Sequence, residues 1–230
     1  MEDVLIKYEN VEIRQQELSI LNDVNLQFRR GEFIFLIGKV GSGKTSLLKT
    51  FYGELDIAAG EAEVLGYDMR HIKRKHIPQL RRKLGIVFQD FQLLIDRTVN
   101  DNLEFVLRAT GWKNKAEIKE RIAEVLELVG MGNKGYKFPN ELSGGEQQRI
   151  VIARAVLNSP EIILADEPTG NLDVETGHAI VNLLHGLSEQ GALVVMTTHN
   201  LQLLREFAGR IYRCSDHRIP VSYTHLRAHE

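Results

Sequence analysis

The stretch "FIFLIGKVGSGKTSLLKTF", residues 33–51, decides the fold of this 230-residue chain. It opens with the apolar run Phe33–Ile37, crosses a glycine-rich turn and ends in a segment whose apolar residues keep helical spacing. A short run that is apolar on both faces is typical of a buried parallel strand. A strand, a glycine loop and a helix in this order form the setting of a P-loop, which binds nucleotide phosphates.

The glycine loop supplies the chemistry of a phosphate site. Its glycines let backbone N–H groups turn towards phosphate oxygens, and the helix that follows adds the positive end of its dipole. We expect Lys44 to reach the β- and γ-phosphates and Thr45 to hold Mg²⁺. The alternative is a glycine turn that only caps a helix. The predicted nucleotide contacts are Gly38, Lys39, Val40, Gly41, Ser42, Gly43, Lys44, Thr45 and Ser46.

Further apolar runs extend the pattern into an α/β fold. They are residues 85–88, 162–165 and 193–198, and segments with helical periodicity lie between them. This alternation predicts a mainly parallel sheet covered on both sides. Residues 4–28 alternate more, which favours an antiparallel edge. Strand signals vanish between about residues 90 and 160, which indicates an inserted helical subdomain.

The composition suits one globular domain. Hydrophobic residues make up 43% and charged residues 26% of the chain, and a formal net charge of -2 gives no overall basic footprint for nucleic acid. The single cysteine, Cys214, excludes an internal disulfide, and no apolar run approaches the roughly 20 residues that cross a bilayer.

We expect a cytoplasmic domain over residues 1–218. Residues 219–230 show no clear helical pattern and are expected to be a non-native or disordered tail.

A second strand carries carboxylates to the same site. "IILADEP", residues 162–168, places Asp166 and Glu167 at the end of an apolar run, and ligands of open α/β sheets bind at the carboxyl ends of the strands. Asp166 suits Mg²⁺ held through water, and Glu167 suits a general base that activates the attacking water. Without a P-loop, two such acids would more simply form a solvated turn.

A second glycine segment, "LSGGEQQR" at residues 142–149, raises the question of why one chain needs two anion-binding loops. Ser143 also suits the N-cap of the helix that follows. Six motifs follow one another along the chain: the P-loop, Gln89 after "GIVF", this segment, "ILADE", "GNLD" at residues 170–173 and His199 in "VVMTTHN". In this order they resemble the motifs of the ATP-binding cassette (ABC) ATPases. The resemblance covers nearly the whole chain.

The resemblance implies a homodimer with ATP sandwiched between the protomers. In that family the second glycine segment binds the γ-phosphate of ATP held by the other protomer, which assigns the closing contacts to Ser143, Gly144, Gly145 and Glu146, while Asp173 bridges the dimer. The implied activity is hydrolysis of ATP to ADP and phosphate.

The same resemblance assigns the reacting side of the site. Gln89 would contact Mg²⁺ or the attacking water and transmit nucleotide occupancy to the helical subdomain, and His199 would touch the γ-phosphate. The expected catalytic residues are therefore Glu167, His199 and Gln89, and the expected magnesium contacts are Thr45, Gln89 and Asp166.

Within the family, "VFQDFQLLIDRTVNDNL", residues 87–103, is most similar to the branch that acts in bacterial cell division. That resemblance implies an FtsX-like integral membrane partner, a place on the inner face of the cell membrane and control of cell-wall hydrolases. "TGNLD" is shared with the ATPases of lipoprotein release and macrolide export, which are the alternative. A nucleic-acid-associated ABC ATPase is disfavoured by the single cassette and the lack of a long heptad insertion, and a P-loop kinase does not explain residues 142–149.

Two surface features leave alternatives open. Phe91, Leu93, Leu94 and Ile95 follow Gln89 and either grip a partner's helix or fill the core of the helical subdomain. The basic stretch at residues 70–83 is a solvated helix face, a contact for anionic headgroups or, least favoured, a nucleic-acid site.

Adenine recognition departs from the family pattern. Many family members stack adenine on an aromatic residue shortly after the first strand, but "EIRQQELS", residues 12–19, contains none. Tyr8 comes too early, and stacking by Arg14 is the alternative. The other histidines, His71, His76, His178 and His185, lack metal-ligand spacing and are interpreted as surface or core residues.

Overall fold

The structure is a computed structural model that describes residues 3–220. The strands of this part of the chain are β1 (Val4–Gln15), β2 (Leu18–Arg29), β3 (Phe33–Ile37), β4 (Ile57–Val64), β5 (Tyr67–Asp68), β6 (Leu84–Val87), β7 (Ile162–Asp166), β8 (Leu193–Thr198) and β9 (Arg210–Arg213). The helices are α1 (Lys44–Phe51), α2 (Ile77–Arg82), α3 (Val99–Ala109), α4 (Lys115–Leu128), α5 (Gly144–Val156), α6 (Val174–Glu189) and α7 (Leu203–Glu206).

A parallel sheet with the strand order β6-β7-β8-β3-β9 forms the centre of the domain. Every residue of β3 and β8 is buried. Alternate residues of β3 enter two different cores: Phe33, Phe35 and Ile37 pack on the side of the long helices, and Ile34 and Leu36 pack towards β1, β2 and α1. Both faces are covered, which is why the sequence of these strands is apolar without alternation. The predicted parallel strands are confirmed.

An antiparallel sheet with the order β2-β1-β4-β5 covers one face of the parallel sheet. Strands β1 and β2 pair antiparallel, which confirms the edge predicted from residues 4–28. Strands β4 and β5 were not predicted. Their sequence, with one glycine and several charges, lacks the continuous apolar run that marked the buried strands.

The helical subdomain is built from α3, α4 and α5, which all pack into the same hydrophobic core. Each helix begins at a polar N-cap residue, namely Thr98, Asn114 and Ser143. Such side chains accept hydrogen bonds from the unpaired N–H groups of the first helical turn. Between residues 90 and 160 the structure has helices and no strand, as the sequence predicted.

The topology brings the motif residues that follow β3, β7 and β8 to one edge. Strands β7, β8 and β3 are neighbours and parallel, so the residues that follow each of them lie side by side at their carboxyl ends. Among the helices of residues 3–220, none combines the length and the apolar character that spanning a bilayer requires.

The predicted tail begins at residue 219, where the structure shows a packed side chain. Ile219 is buried in the core on the side of the antiparallel sheet, with 3% of its surface exposed, so the packed domain reaches this residue. The remainder of the predicted tail, residues 221–230, lies outside the described residues.

Candidate active site

The P-loop connects β3 to α1 and wraps around its own lysine. Gly43, the residue before α1, has a φ of 96°, and a methyl group added to it would lie 3.0 Å from Cγ of Leu21. Only glycine combines this left-handed backbone with such close packing. Nζ of Lys44 donates a hydrogen bond to the backbone oxygen of Gly38 at 2.9 Å, and the residue is only 6% exposed. The P-loop therefore surrounds the buried ammonium group of Lys44.

The carboxylate of Glu167 lies beside that ammonium group. Oε1 of Glu167 is 3.5 Å from Nζ of Lys44, and Oε2 is 2.7 Å from Nδ1 of His199. An ionised carboxylate only accepts hydrogen bonds, so the proton of this contact belongs to Nδ1, which leaves Nε2 of His199 for a second partner. The structure thus brings together Lys44, Glu167 and His199, which lie far apart in the sequence.

Thr197 is a site residue that the sequence analysis missed. Its hydroxyl donates to Oδ1 of Asp166 at 2.7 Å and accepts a hydrogen bond from the backbone N–H of Glu167 at 2.8 Å. Glu167 has a φ of 48°, an unfavourable value for a residue with a side chain, which such bonds help to hold. The available signal was the pair of threonines, Thr197 and Thr198, that ends an apolar strand just before His199.

Asp166 and Thr45, two of the predicted magnesium contacts, lie side by side. The hydroxyl of Thr45 lies 3.2 Å from Oδ1 of Asp166. Hydroxyl and carboxylate oxygens are the donors that Mg²⁺ prefers, and this ion usually takes only one or two protein ligands beside the phosphates. The described residues, 3–220, contain no cluster of three or more His, Cys, Asp or Glu side chains suited to a metal. The residues present fit a magnesium ion that is shared with nucleotide.

Gln89 follows β6 and faces the same region. It lines a cavity of about 510 Å³ together with Thr45 and Asp166. Its side-chain Nε2 would lie 3.0 Å from a methyl group added to Gly170, and its backbone oxygen accepts a hydrogen bond from Asn171 at 3.5 Å. Gln89 therefore lies in one cavity with Thr45 and Asp166 and also contacts the loop at residues 170–173.

The second glycine segment belongs to a different cluster. Ser143 caps α5, and its hydroxyl accepts from the backbone N–H of Glu146 at 3.3 Å, while the Glu146 carboxylate accepts from the backbone N–H of Ser143 at 2.9 Å. This backbone N–H lowers the pKa of Glu146. Gly145 packs so tightly on Thr176 that a methyl group there would collide with Cγ2 of that residue.

Asp173 lies in this same cluster, at the start of α6. Its carboxylate accepts hydrogen bonds from the backbone N–H of Thr176 at 3.0 Å and from the Thr176 hydroxyl at 2.6 Å, and these bonds lower its pKa. Of the described residues, none from 143–146 lines either of the two cavities that adjoin the P-loop. One chain therefore holds the predicted site residues in two separate groups.

The structure also removes one candidate for adenine stacking. Tyr8 is buried, with 1% of its surface exposed, and its hydroxyl lies 2.9 Å from the hydroxyl of Thr50. Arg14 is exposed, but its Nε donates to Glu12 at 2.8 Å. Tyr8 is a core residue, and stacking by Arg14 would require it to leave Glu12.

Three of the histidines interpreted as surface or core residues each lie beside a carboxylate. Nδ1 of His178 lies 2.9 Å from Glu206, Nδ1 of His185 lies 3.5 Å from Glu189, and Nδ1 of His71 lies 2.8 Å from Asp68. Each of these three imidazoles contacts one carboxylate, and this contact accounts for the position of its ring.

Comparison with known proteins agrees with the motif order. The ABC transporter family profile matches residues 21–170. The cell division ATP-binding protein FtsE of Streptococcus pneumoniae serotype 2 (strain D39 / NCTC 7466) is 42% identical over 219 residues, which are 95% of this chain and 92% of that protein. The protein of the same name from Escherichia coli (strain K12) is 41% identical over 196 residues, which are 85% of this chain and 88% of that protein.

Two solved structures of MJ0796 share the fold. The dimeric structure of this bacterial ABC transporter cassette has a TM-score of 0.85 and 34% identity, and it covers 97% of this chain and 99% of that one. Its dimeric post-hydrolysis state bound to ADP and Pi has a TM-score of 0.84, again with 34% identity and coverage of 97% and 99%. The resemblance to ABC ATPases of the cell-division branch is confirmed. Fold, motif order and relatives agree, and the chain belongs to the ABC transporter family as an ATPase with FtsE proteins among its relatives.

Proposed function

We propose that two copies of this ATPase bind two ATP molecules between them, and that closure of the dimer drives an FtsX-like integral membrane partner. The dimer works at the inner face of the cell membrane and controls cell-wall hydrolases in cell division. The FtsE relatives, at 42% and 41% identity over most of the chain, support the cell-division role. The dimeric cassettes among the structural neighbours support the assembly.

The separation of the site residues into two groups supports the dimer. The P-loop and Glu167 form one group, and Ser143, Gly145 and Asp173 form the other. The first two N–H groups of α5 are free for an anion, because the Ser143 hydroxyl pairs with the third. A second copy facing the first would place these donors opposite the P-loop, where they complete the γ-phosphate site.

The P-loop group supplies the hydrolytic chemistry. Glu167 accepts a proton from the attacking water, a step that contributes roughly 10²–10⁴ to the rate. Lys44 neutralises the phosphates, and His199 orients the Glu167 carboxylate through its 2.7 Å contact. Thr45 and Asp166 would hold Mg²⁺, with Gln89 beside them. Bound Mg²⁺ neutralises charge on the β- and γ-phosphates.

The free energy of the predicted phosphate contacts is large enough for ATP to switch the chain between monomer and dimer. Moving a two-state equilibrium from 1:99 to 99:1 requires about 5.5 kcal/mol of differential binding. A hydrogen bond to a charged group contributes about 1.5–3 kcal/mol, so two or three bonds at each of two sites suffice. Hydrolysis removes the shared γ-phosphate and releases the dimer.

We expect residues 89–95 to transmit closure of the dimer to the membrane partner. The apolar residues that follow divide between two roles: Phe91 and Leu93 pack against the core, whereas Leu94 and Ile95 are exposed by 38% and 76%. The buried amide of Asn102 binds both backbone groups of Leu94, at 2.8 Å and 3.0 Å. A displacement of Gln89 by nucleotide therefore moves a segment that is fixed to the helical subdomain and carries exposed apolar side chains.

The proposal depends on the short segment from Gln89 to Leu94, which is bonded to the helical subdomain through Asn102. The variant Leu94→Glu tests whether this segment contacts the membrane partner. We expect this variant to lose co-purification with the membrane protein encoded by the neighbouring gene while it still binds ATP. Leu128→Glu is the matched control, because Leu128 is a leucine of 40% exposure on α4, and it should retain the partner. Unchanged co-purification of the Leu94 variant would contradict the proposal.

A further inference from the structure

The connection between β5 and β6 carries the strongest concentration of positive charge in the chain. Residues 70–83, here the basic segment, contain seven Lys and Arg and no Asp or Glu. All seven of these cations are exposed. We propose that the basic segment binds the anionic headgroups of a lipid bilayer, beside the site where the membrane partner docks. This inference rests on the proposed function, because the partner places the chain at a membrane.

Most of these charges have no partner among residues 3–220, the part of the chain that the structure describes. Arg81 donates to the backbone oxygens of Tyr52 and Gly53, at 2.9 Å and 3.3 Å, and Lys83 lies 3.6 Å from Glu161. In contrast, the side chains of Lys73, Arg74, Lys75 and Arg82 form no ion pair or hydrogen bond with any described residue. Unpaired cations on an exposed turn keep their full attraction for an external anionic surface.

The basic segment borders the cavity that contains Gln89. Both ends of α2 contact the turn after α1: Arg81 binds the backbone of Tyr52 and Gly53, and Ile77 lies beside Gly53. Tyr52 in turn lines the cavity of about 510 Å³ together with Gln89 and Asp90. A membrane partner that docks on this side would hold the basic segment near the lipid headgroups.

The chemistry favours lipid over nucleic acid. Juxtamembrane clusters of about four to eight Lys and Arg bind anionic lipids, and the basic segment falls in this range. It contains no Phe, Tyr or Trp on which bases could stack. Acidic residues outnumber basic ones over the rest of the chain, since the whole has a net charge of -2, so a long polyanion would soon meet repulsion.

Co-sedimentation of the full chain with vesicles tests the inference without the partner. We expect binding to vesicles of phosphatidylglycerol and phosphatidylcholine in equal parts, weakening as the salt concentration rises, and little binding to pure phosphatidylcholine. The combined substitutions Lys73→Gln, Arg74→Gln and Lys75→Gln should lower the partition coefficient by about a hundredfold, since each cation contributes about fivefold. The rate of ATP hydrolysis in solution should stay unchanged.

Three exposed lysines at the start of α4 provide the control. Lys113→Gln, Lys115→Gln and Lys119→Gln remove the same charge from the helical subdomain, where acidic residues alternate with the lysines, and should leave vesicle binding intact. Equal loss in both triple variants, or equal binding to both vesicle types, would overturn the inference. Tighter binding of random-sequence duplex DNA than of anionic vesicles at the same salt concentration would overturn it as well.

The vesicle result and the partner result separate the two proposals. Failure of the unsubstituted chain to co-purify with the membrane protein, with retained vesicle binding, would contradict the proposed function alone. Retained partner binding with no binding to anionic vesicles would contradict the present inference alone.

Discussion

Nδ1 of His199 lies 2.7 Å from Oε2 of Glu167, while Nζ of Lys44 lies 3.5 Å from the other carboxylate oxygen. Glu167 follows β7, His199 follows β8 and Lys44 begins α1, so three elements meet at one carboxylate. Its side chain is only 15% exposed. The group that we propose as the general base is therefore contacted on both of its carboxylate oxygens.

Glu167→Gln should strongly slow hydrolysis and trap the dimer. The amide keeps the shape of the side chain but cannot accept a proton, so we expect a loss of roughly 10²–10⁴ in the rate of phosphate release. With saturating ATP and Mg²⁺, size-exclusion chromatography should show a stable dimer. A variant that stays monomeric under these conditions would contradict the shared-site mechanism.

His199→Ala should lower turnover more than it weakens nucleotide binding. Loss of a hydrogen bond to a charged group, worth about 1.5 kcal/mol, corresponds to about a tenfold loss in rate. His178→Ala is a matched control, because Nδ1 of His178 also contacts a glutamate at 2.9 Å, but that residue, Glu206, is not a predicted site residue. Steady-state phosphate release with both variants separates the two positions. Equal rates would refute a positioning role for His199.

Ser143→Ala should have two effects, and Thr98→Ala only one. Both residues cap a helix of the same subdomain, so each variant should lose about 1 kcal/mol of unfolding free energy in urea titrations. Only Ser143→Ala should also raise the ATP concentration that is needed for dimerisation. If both variants dimerise as the parent does, Ser143 is a helix cap alone.

Cys214 should respond to pH as a buried thiol. Burial raises its pKa from 9.0 to about 11, so the unfolded chain loses its thiol proton at a lower pH than the folded protein does. Folding stability is therefore complete below about pH 9 and falls between pH 9 and pH 11, by about 2–3 kcal/mol for this group. Unfolding free energies at pH 8 and pH 10.5 should differ more in the parent than in Cys214→Ala. Equal pH slopes would show that the thiol does not contribute.

The boundary of the domain can be tested with two deletions. Removal of residues 221–230 should leave both the ATPase rate and the melting temperature unchanged, because the sequence predicts a tail there. Removal of residues 219–230 also takes away the buried Ile219 and should lower the unfolding free energy by about 2–4 kcal/mol. A large loss of activity with the shorter deletion would show that the tail is part of the fold.

Local sequence determined the elements that carry the site. Buried parallel strands must be apolar on both faces, so "FIFLI" and the three later runs were visible without any structure. The observed strand β6, Leu84–Val87, is shifted by one residue from the predicted 85–88, since its ends are set by pairing with β7. The P-loop was equally visible, because strand, glycines and helix adjoin each other in the chain.

Only the tertiary structure decided which distant residues meet. Thr197 reaches Asp166 because β8 pairs with β7 in a register that places these two residues opposite each other. Ser143 lies away from the P-loop because α5 packs its first turn on α6 instead. Such contacts depend on which elements become neighbours and in what register, and the local spacing of apolar residues contains no information on either.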